Sequence, residues 1–221
     1  MGAYEELDTD EPLKKRIERH AYDRLIMLSD GVFAIAVTLA ALDIKPPAAW
    51  GSLPDLIDKL HYPVLAYLVS FAVVASYWGS QRELLSRLIR IDGPVTLMAL
   101  AQLLCIALIP SATQLLTHKG PDAPAVAVYG GLLAVCGYLA AGMWAYAALH
   151  PRLLHPEGRT PFVWGRVAVA LIVPGVFTWI AVTNGSLTTA PIISLVALGL
   201  GRRLVIARFP EAKALMSREH A

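Results

Sequence analysis

The sequence predicts an all-α membrane protein with six transmembrane helices per subunit and no internal repeat. Three observations carry that prediction. Of the 221 residues, 56% are hydrophobic and only 16% charged, against about 25% charged in an ordinary soluble domain. Apolar runs close to 20 residues long recur along the chain, the length needed to cross a bilayer as a helix. The basic residues are also distributed unevenly between the segments that join those runs.

Residues 1–23 are polar and mixed in charge, with no short apolar core followed by a small-residue cleavage site, so they read as a cytoplasmic tail rather than a signal peptide. Asp10, ahead of Pro12 and Leu13, is placed to cap a short helix through the Lys14–Lys15–Arg16 cluster. The first span, Arg24 to Ile44, reads RLIMLSDGVFAIAVTLAALDI and ends before Pro46–Pro47. Trp50 to Tyr62 is too short to span; its leucines at helical spacing predict a separate, surface-lying helix.

The second span, Tyr62 to Ser80, leads into Arg82, Arg87 and Arg90, and the third, Val95 to Leu116, carries Pro110 near its end. The fourth, Ala125 to Leu149, has small residues four apart at Gly130/Ala134 and Gly137/Ala141, a spacing that lets helices approach closely. The fifth, Phe162 to Val182, is expected to kink at Pro174. The sixth is Leu187 to Ala207. Residues 24–207 then form one transmembrane domain, followed by a cytoplasmic tail at 208–221.

Six spans place 16 of the 19 Lys and Arg on one side of the membrane, leaving Lys45, Lys59 and Lys119 on the other. The positive-inside rule makes the richer side cytoplasmic and puts both termini there. Five spans would put Arg202, Arg203, Arg208, Lys213 and Arg218 outside. Trp144, Trp164, Trp179, Tyr62 and Tyr146 fall near span ends and suit an interfacial aromatic belt.

The first span concentrates the unusual chemistry. Ile35, Leu39 and Leu42 fall within about 60° of one another on a helix and form one aliphatic stripe, with Thr38 about 60° to the side of Ile35. Asp30 points about 140° away from Ile35. An acid inside a span is costly to desolvate and marks a functional or helix-bracing position. Arg24 lies about 120° from Asp30 around the same helix, so partners from another helix are needed; Gln81 and Arg82, at the cytoplasmic end of the second span, have a compatible depth. An aliphatic stripe by itself is ordinarily core or lipid-facing surface, and a lone intramembrane threonine ordinarily bonds back to its own helix.

Other chemistries find no support. Cys105 and Cys136 fall mid-span, as small buried hydrophobes. The six histidines lie in loops, tails or span edges and make no metal-ligand pair. No catalytic triad, phosphate-cradling glycine loop, nucleic-acid module or TVGYG filter is present. The sequence therefore predicts no enzyme, no metal and no cofactor; the basic flanks suit anionic membrane lipids.

The first span resembles the R-x-x-x-F-S-D-G-V-F-A-I-A-x-T-L signature of the bacterial homologues of the endolysosomal potassium channel family, transmembrane protein one-seven-five. Arg24, Ser29, Asp30, Gly31, Phe33, Ala34, Ile35, Thr38, Leu39, Leu42 and Asp43 match that pattern. Tyr77–Trp78, Ile91–Asp92, Pro110 and Thr113 extend the likeness. The resemblance implies a homotetramer in a bacterial plasma membrane, with four first helices around a central potassium-permeable pore. It implies hydrophobic rings of Ile35, Leu39 and Leu42, with Ile35 narrowest, and modest preference for K+ over Na+ tuned by Thr38. It also implies a structural network through Arg24, Ser29 and Asp30. Leu28 replaces the signature phenylalanine, Gln81 stands where a histidine is usual and Ala99 where an asparagine is common, so the network is expected to use Gln81 as a neutral partner. The competing expectations are a proton-coupled secondary transporter working through Asp30 and a non-conducting scaffold oligomerising through the small residues of the fourth span.

Overall fold

The computed structural model describes residues 13–183 apart from 43, 46, 120–122 and 156–161, together with residues 196, 199–201, 203, 204 and 207. Helix α1 runs Leu13–Leu42, α2 Leu53–Arg87, α3 Gly93–Lys119 and α4 Ala123–Leu149. A 3-10 turn at Pro151–Leu153 leads to α5, Phe162–Ala170, and α6, Ile172–Thr183. Five stretches among the described residues are long and apolar enough to cross a membrane, α5 and α6 together making the fifth. The predicted sixth span lies largely outside the described residues, although Val196, Gly199, Leu200, Gly201, Arg203, Leu204 and Ala207 are helical. Asp10 and Asp43 also lie outside them.

Two boundaries differ from the sequence reading. The basic cluster and the first span form one helix, with no break at Arg24. The predicted surface helix and the second span are likewise one helix of 35 residues that passes through Pro63. Ser52 caps its start by accepting from the Asp55 amide, and Lys59 ties it to the preceding loop through Ala49 O and Asp55. A proline removes one backbone hydrogen bond, and a helix passes through it where neighbouring groups or a local adjustment of the turn make up the loss. At about 52 Å, α2 outreaches a hydrocarbon core of about 30 Å.

Helix α4 is the centre of the subunit. It packs most extensively on α3 and α6 and also on α5, while α1 packs on α3 and α2. Its glycines set the closeness of the α6 contact. A Cβ at Gly137 would stand 2.9 Å from Pro174 Cβ and 2.9 Å from Tyr77 Oη, and one at Gly130 would stand 3.3 Å from Phe177 O. The small-residue face of α4 is therefore covered by α6 of the same chain, which removes it as the surface for a scaffold. Gly137→Ala is expected to destabilise the subunit by about 1–3 kcal/mol, the usual cost of overpacking. Thermal unfolding of the detergent-solubilised protein would read this as a lower midpoint, with Gly131→Ala, where no neighbour stands within 4 Å, as the control.

α5 and α6 part at Leu171, just before the predicted kink residue, because Pro174 has no N–H to give the Ala170 carbonyl. Hydroxyls bind the bundle elsewhere. Ser70 Oγ on α2 donates to Ala66 O at 2.9 Å, so it accepts from Tyr129 of α4 at 2.9 Å; Thr113 of α3 stands 3.1 Å away. Tyr77 donates to Leu133 O at 2.7 Å.

At the end of the bundle that carries Arg82, Arg87 and Arg90, Leu25, Leu84, Leu85, Val95, Met143 and Trp144 contribute to a second core cluster. Trp144, 1% exposed, does not belong to an interfacial belt: its indole donates to Ser80 Oγ at 3.1 Å and Arg166 lies over its ring. Trp164 and Trp179 are exposed. Arg166, inside the predicted fifth span, is buried and pairs with Glu83 at 2.6 Å, with Arg87 3.7 Å from the other Glu83 oxygen. The two loops at this end are joined by a short bridge between Leu88 and Leu154, in which the Ile89 amide donates to Leu153 O at 2.9 Å and the His155 amide to Arg87 O at 3.0 Å.

Candidate functional site

Helix α1 carries two opposed faces. Leu25, Ser29, Phe33, Ala36 and Ala40 recur every three or four residues and are buried, with Phe33 and Ala36 each 3% exposed. The other face holds the aliphatic stripe: Ile35 is 59% exposed, Leu39 46% and Leu42 72%. Within one chain these side chains meet nothing that removes their apolar surface from solvent, so lipid or another protein surface must cover them. Thr38 stands beside them, exposed, and its hydroxyl donates to Ala34 O at 3.1 Å and Ile35 O at 2.9 Å. Its proton is thereby turned back into the helix, leaving oxygen lone pairs facing outward.

The acid occupies a different side. Asp30 Oδ1 accepts a 2.7 Å hydrogen bond from the indole N–H of Trp78 on α2, and the Arg82 guanidinium lies 5.4 Å from the centre of that ring. Ser29 is buried and donates to Leu25 O at 2.8 Å. Its oxygen can then only accept, and it accepts from Gln81 Nε2 at 3.3 Å. The structure thus joins Ser29 to Gln81 and Asp30 to Trp78. It does not join Gln81 to Asp30. Arg24 is exposed and has no hydrogen bond or ion pair among the described residues, so a single chain does not bring it to Asp30.

Trp78 was the partner that sequence reasoning missed. The available signal was spacing: Trp78, Gln81 and Arg82 stand three and four residues apart on α2 and so share a face. Among the described residues, no three His, Cys, Asp or Glu side chains come together as metal ligands. Cys105 is half-buried and Cys136 buried, and both are free thiols.

The described residues form an all-helical, multi-pass subunit whose first helix leaves the Ile35, Leu39 and Leu42 stripe uncovered beside Thr38. Residues 24–110 match the family profile described as endosomal/lysosomal potassium channel TMEM175. A protein named as a potassium channel from Streptomyces collinus is 30% identical over 144 residues, which cover 62% of this chain and 70% of that one. Another, from Chamaesiphon minutus, is 32% identical over 145 residues, covering 62% and 71%. A third, from a Chryseobacterium species, is 32% identical over 109 residues, 48% of this chain and 55% of its own length. The chain belongs to the TMEM175 potassium channel family. Its fold is shared with the crystal structure of a lysosomal potassium-selective channel TMEM175 homologue from Chamaesiphon minutus, at a TM-score of 0.61 and 24% identity over 85% of this chain and 96% of that one.

Proposed function

We propose that the protein is a potassium-permeable channel in which four copies bring their α1 stripes together around a central pore. One observation carries this reading: Ile35, Leu39 and Leu42 are exposed on the helix where the family match begins, while Phe33, Ala36 and Ala40 of the same helix pack inward. Four such stripes facing one axis would cover each other's apolar surface and form stacked hydrophobic rings. Rings of this kind hold no dipoles that could replace an ion's hydration shell, so they gate by dewetting. Ile35 is the gate in this reading. Thr38 adds outward-facing oxygens beside it and biases passage modestly toward K+ over Na+. Asp30 and Ser29 hold α1 against α2, away from the ion path. Arg24 lies about 20° from Ile35 around the helix and about 16 Å along it, which sets it at the cytoplasmic mouth.

The test is gradient-driven K+ flux into liposomes containing the purified protein, with Na+ in parallel. Fast, unsaturated flux that is larger for K+ is the expected result. Saturable flux that requires a proton gradient would instead make the protein a transporter, and absence of flux from both wild type and Ile35→Asn would leave a scaffold.

A further inference from the structure

On the side of α1 opposite the stripe, toward its cytoplasmic end, α1 and α2 part to leave a half-open cavity of about 170 Å³. Ile26 and Asp30 line it from α1, and Trp78, Gln81, Arg82 and Ser86 from α2. Its walls hold opposite charges kept apart. The Asp30 carboxylate is held by the Trp78 indole and the Arg82 guanidinium rests over the same ring, yet no ion pair joins Asp30 to Arg82 among the described residues. Gln81 lies behind them, 3% exposed. Its amide nitrogen is committed to Ser29, and its buried Oε1 has no hydrogen-bond partner among the described residues.

A carboxylate and a guanidinium held on one indole, with an apolar wall at Ile26, suit a ligand bearing a primary ammonium and a phosphate a few ångströms apart. The ammonium has N–H donors for Asp30, and Arg82 presents a forked donor to phosphate. The cavity's place favours one source of that chemistry. Arg82, Arg87 and Arg90 mark the cytoplasmic headgroup level. Ile26 and Asp30 lie about 180° and 140° from Ile35 around the helix, so the cavity opens away from the axis the stripe faces. That last step rests on the channel reading; the charge pattern of the cavity does not.

We propose that this cavity binds a phosphoethanolamine group, presented by phosphatidylethanolamine of the inner leaflet, with the ammonium on Asp30 and the phosphate on Arg82. The lipid would sit behind α1 and bias its position without entering the ion path.

The test is thermal unfolding of the full-length purified protein in detergent, titrated with dihexanoyl phosphatidylethanolamine, phosphatidylcholine and phosphatidylglycerol and with free phosphoethanolamine. Phosphatidylethanolamine is expected to raise the midpoint saturably, by about 5 °C or more when the site is full. Phosphatidylcholine, whose quaternary ammonium donates no hydrogen bond, and phosphatidylglycerol, which has no amine, should fall well short. Arg82→Gln and Ser86→Phe, both at exposed positions, should keep the unliganded midpoint and lose the shift. An equal shift from free phosphoethanolamine would support the site and replace the lipid with a soluble ligand. Equal shifts from all three lipids, or a phosphatidylethanolamine shift that survives both substitutions, would overturn the proposal. Because the readout is binding, it stands or falls separately from ion flux.

Discussion

Replacing Ile35 with asparagine is expected to raise potassium conductance at least about fivefold and to bring K+ and Na+ permeabilities closer together. Ile35 is 59% exposed on the single chain and heads the stripe that Leu39 and Leu42 continue. In a ring of four isoleucines, the barrier to an ion is chiefly the barrier to water, since nothing on the side chains holds a hydrogen bond. An asparagine amide keeps water at that level. One such bond is worth about 1 kcal/mol, which is roughly fivefold in rate, and four subunits contribute it. A wetted ring also passes hydrated ions, so the difference between K+ and Na+ dehydration counts for less. Single-channel currents in planar bilayers, with reversal potentials under mixed K+ and Na+, measure both effects. Unchanged currents from a normally assembled protein would remove Ile35 from the gate.

Replacing Asp30 with alanine is expected to cost assembly rather than selectivity. Its carboxylate receives the Trp78 indole at 2.7 Å and so fastens α1 to α2. A hydrogen bond to a charged group is worth about 1.5–3 kcal/mol, and the loss recurs in every subunit. The indole N–H would be left facing an apolar side chain at the edge of the membrane, and α1 would no longer hold its stripe in one orientation. The expected result is a shift from tetramer to smaller species in native mass spectrometry or size-exclusion with light scattering. Asp30→Asn, which keeps an acceptor oxygen for Trp78, should retain much of the tetramer. An Asp30→Ala protein that assembles fully but has altered permeability ratios would place the acid in the ion path.

How much of this was legible follows from which relationships are local. The two faces of α1 could be read directly, because helical periodicity alone separates Ile35, Leu39 and Leu42 from Phe33, Ala36 and Ala40. The glycines of α4 announced a close approach, although the sequence could not say that the partner was α6 of the same chain. Pairings between helices were harder. Gln81 was expected opposite Asp30 and instead meets Ser29; adjacent residues on a helix differ by about 100°, so a small error in inter-helix register exchanges one partner for the next. Trp144 looked interfacial because it lies near the end of an apolar run, and only the fold brings Ser80 and Arg166 around it. The surface helix and the second span were divided at Tyr62 because polar residues give way to apolar ones there, while the packing that carries one helix through Pro63 is a property of the whole bundle.

The bridge between Leu88 and Leu154 binds two loops together along one edge, as pages are sewn into a spine. With α2 and α4 joined at that seam and again through Ser80–Trp144, Tyr77–Leu133 and Ser70–Tyr129, the two helices are fastened along much of their shared length and move as one body. For a helix as long as α2, a tilt of about 5° displaces one end roughly 4–5 Å relative to the other, and α4 is carried with it.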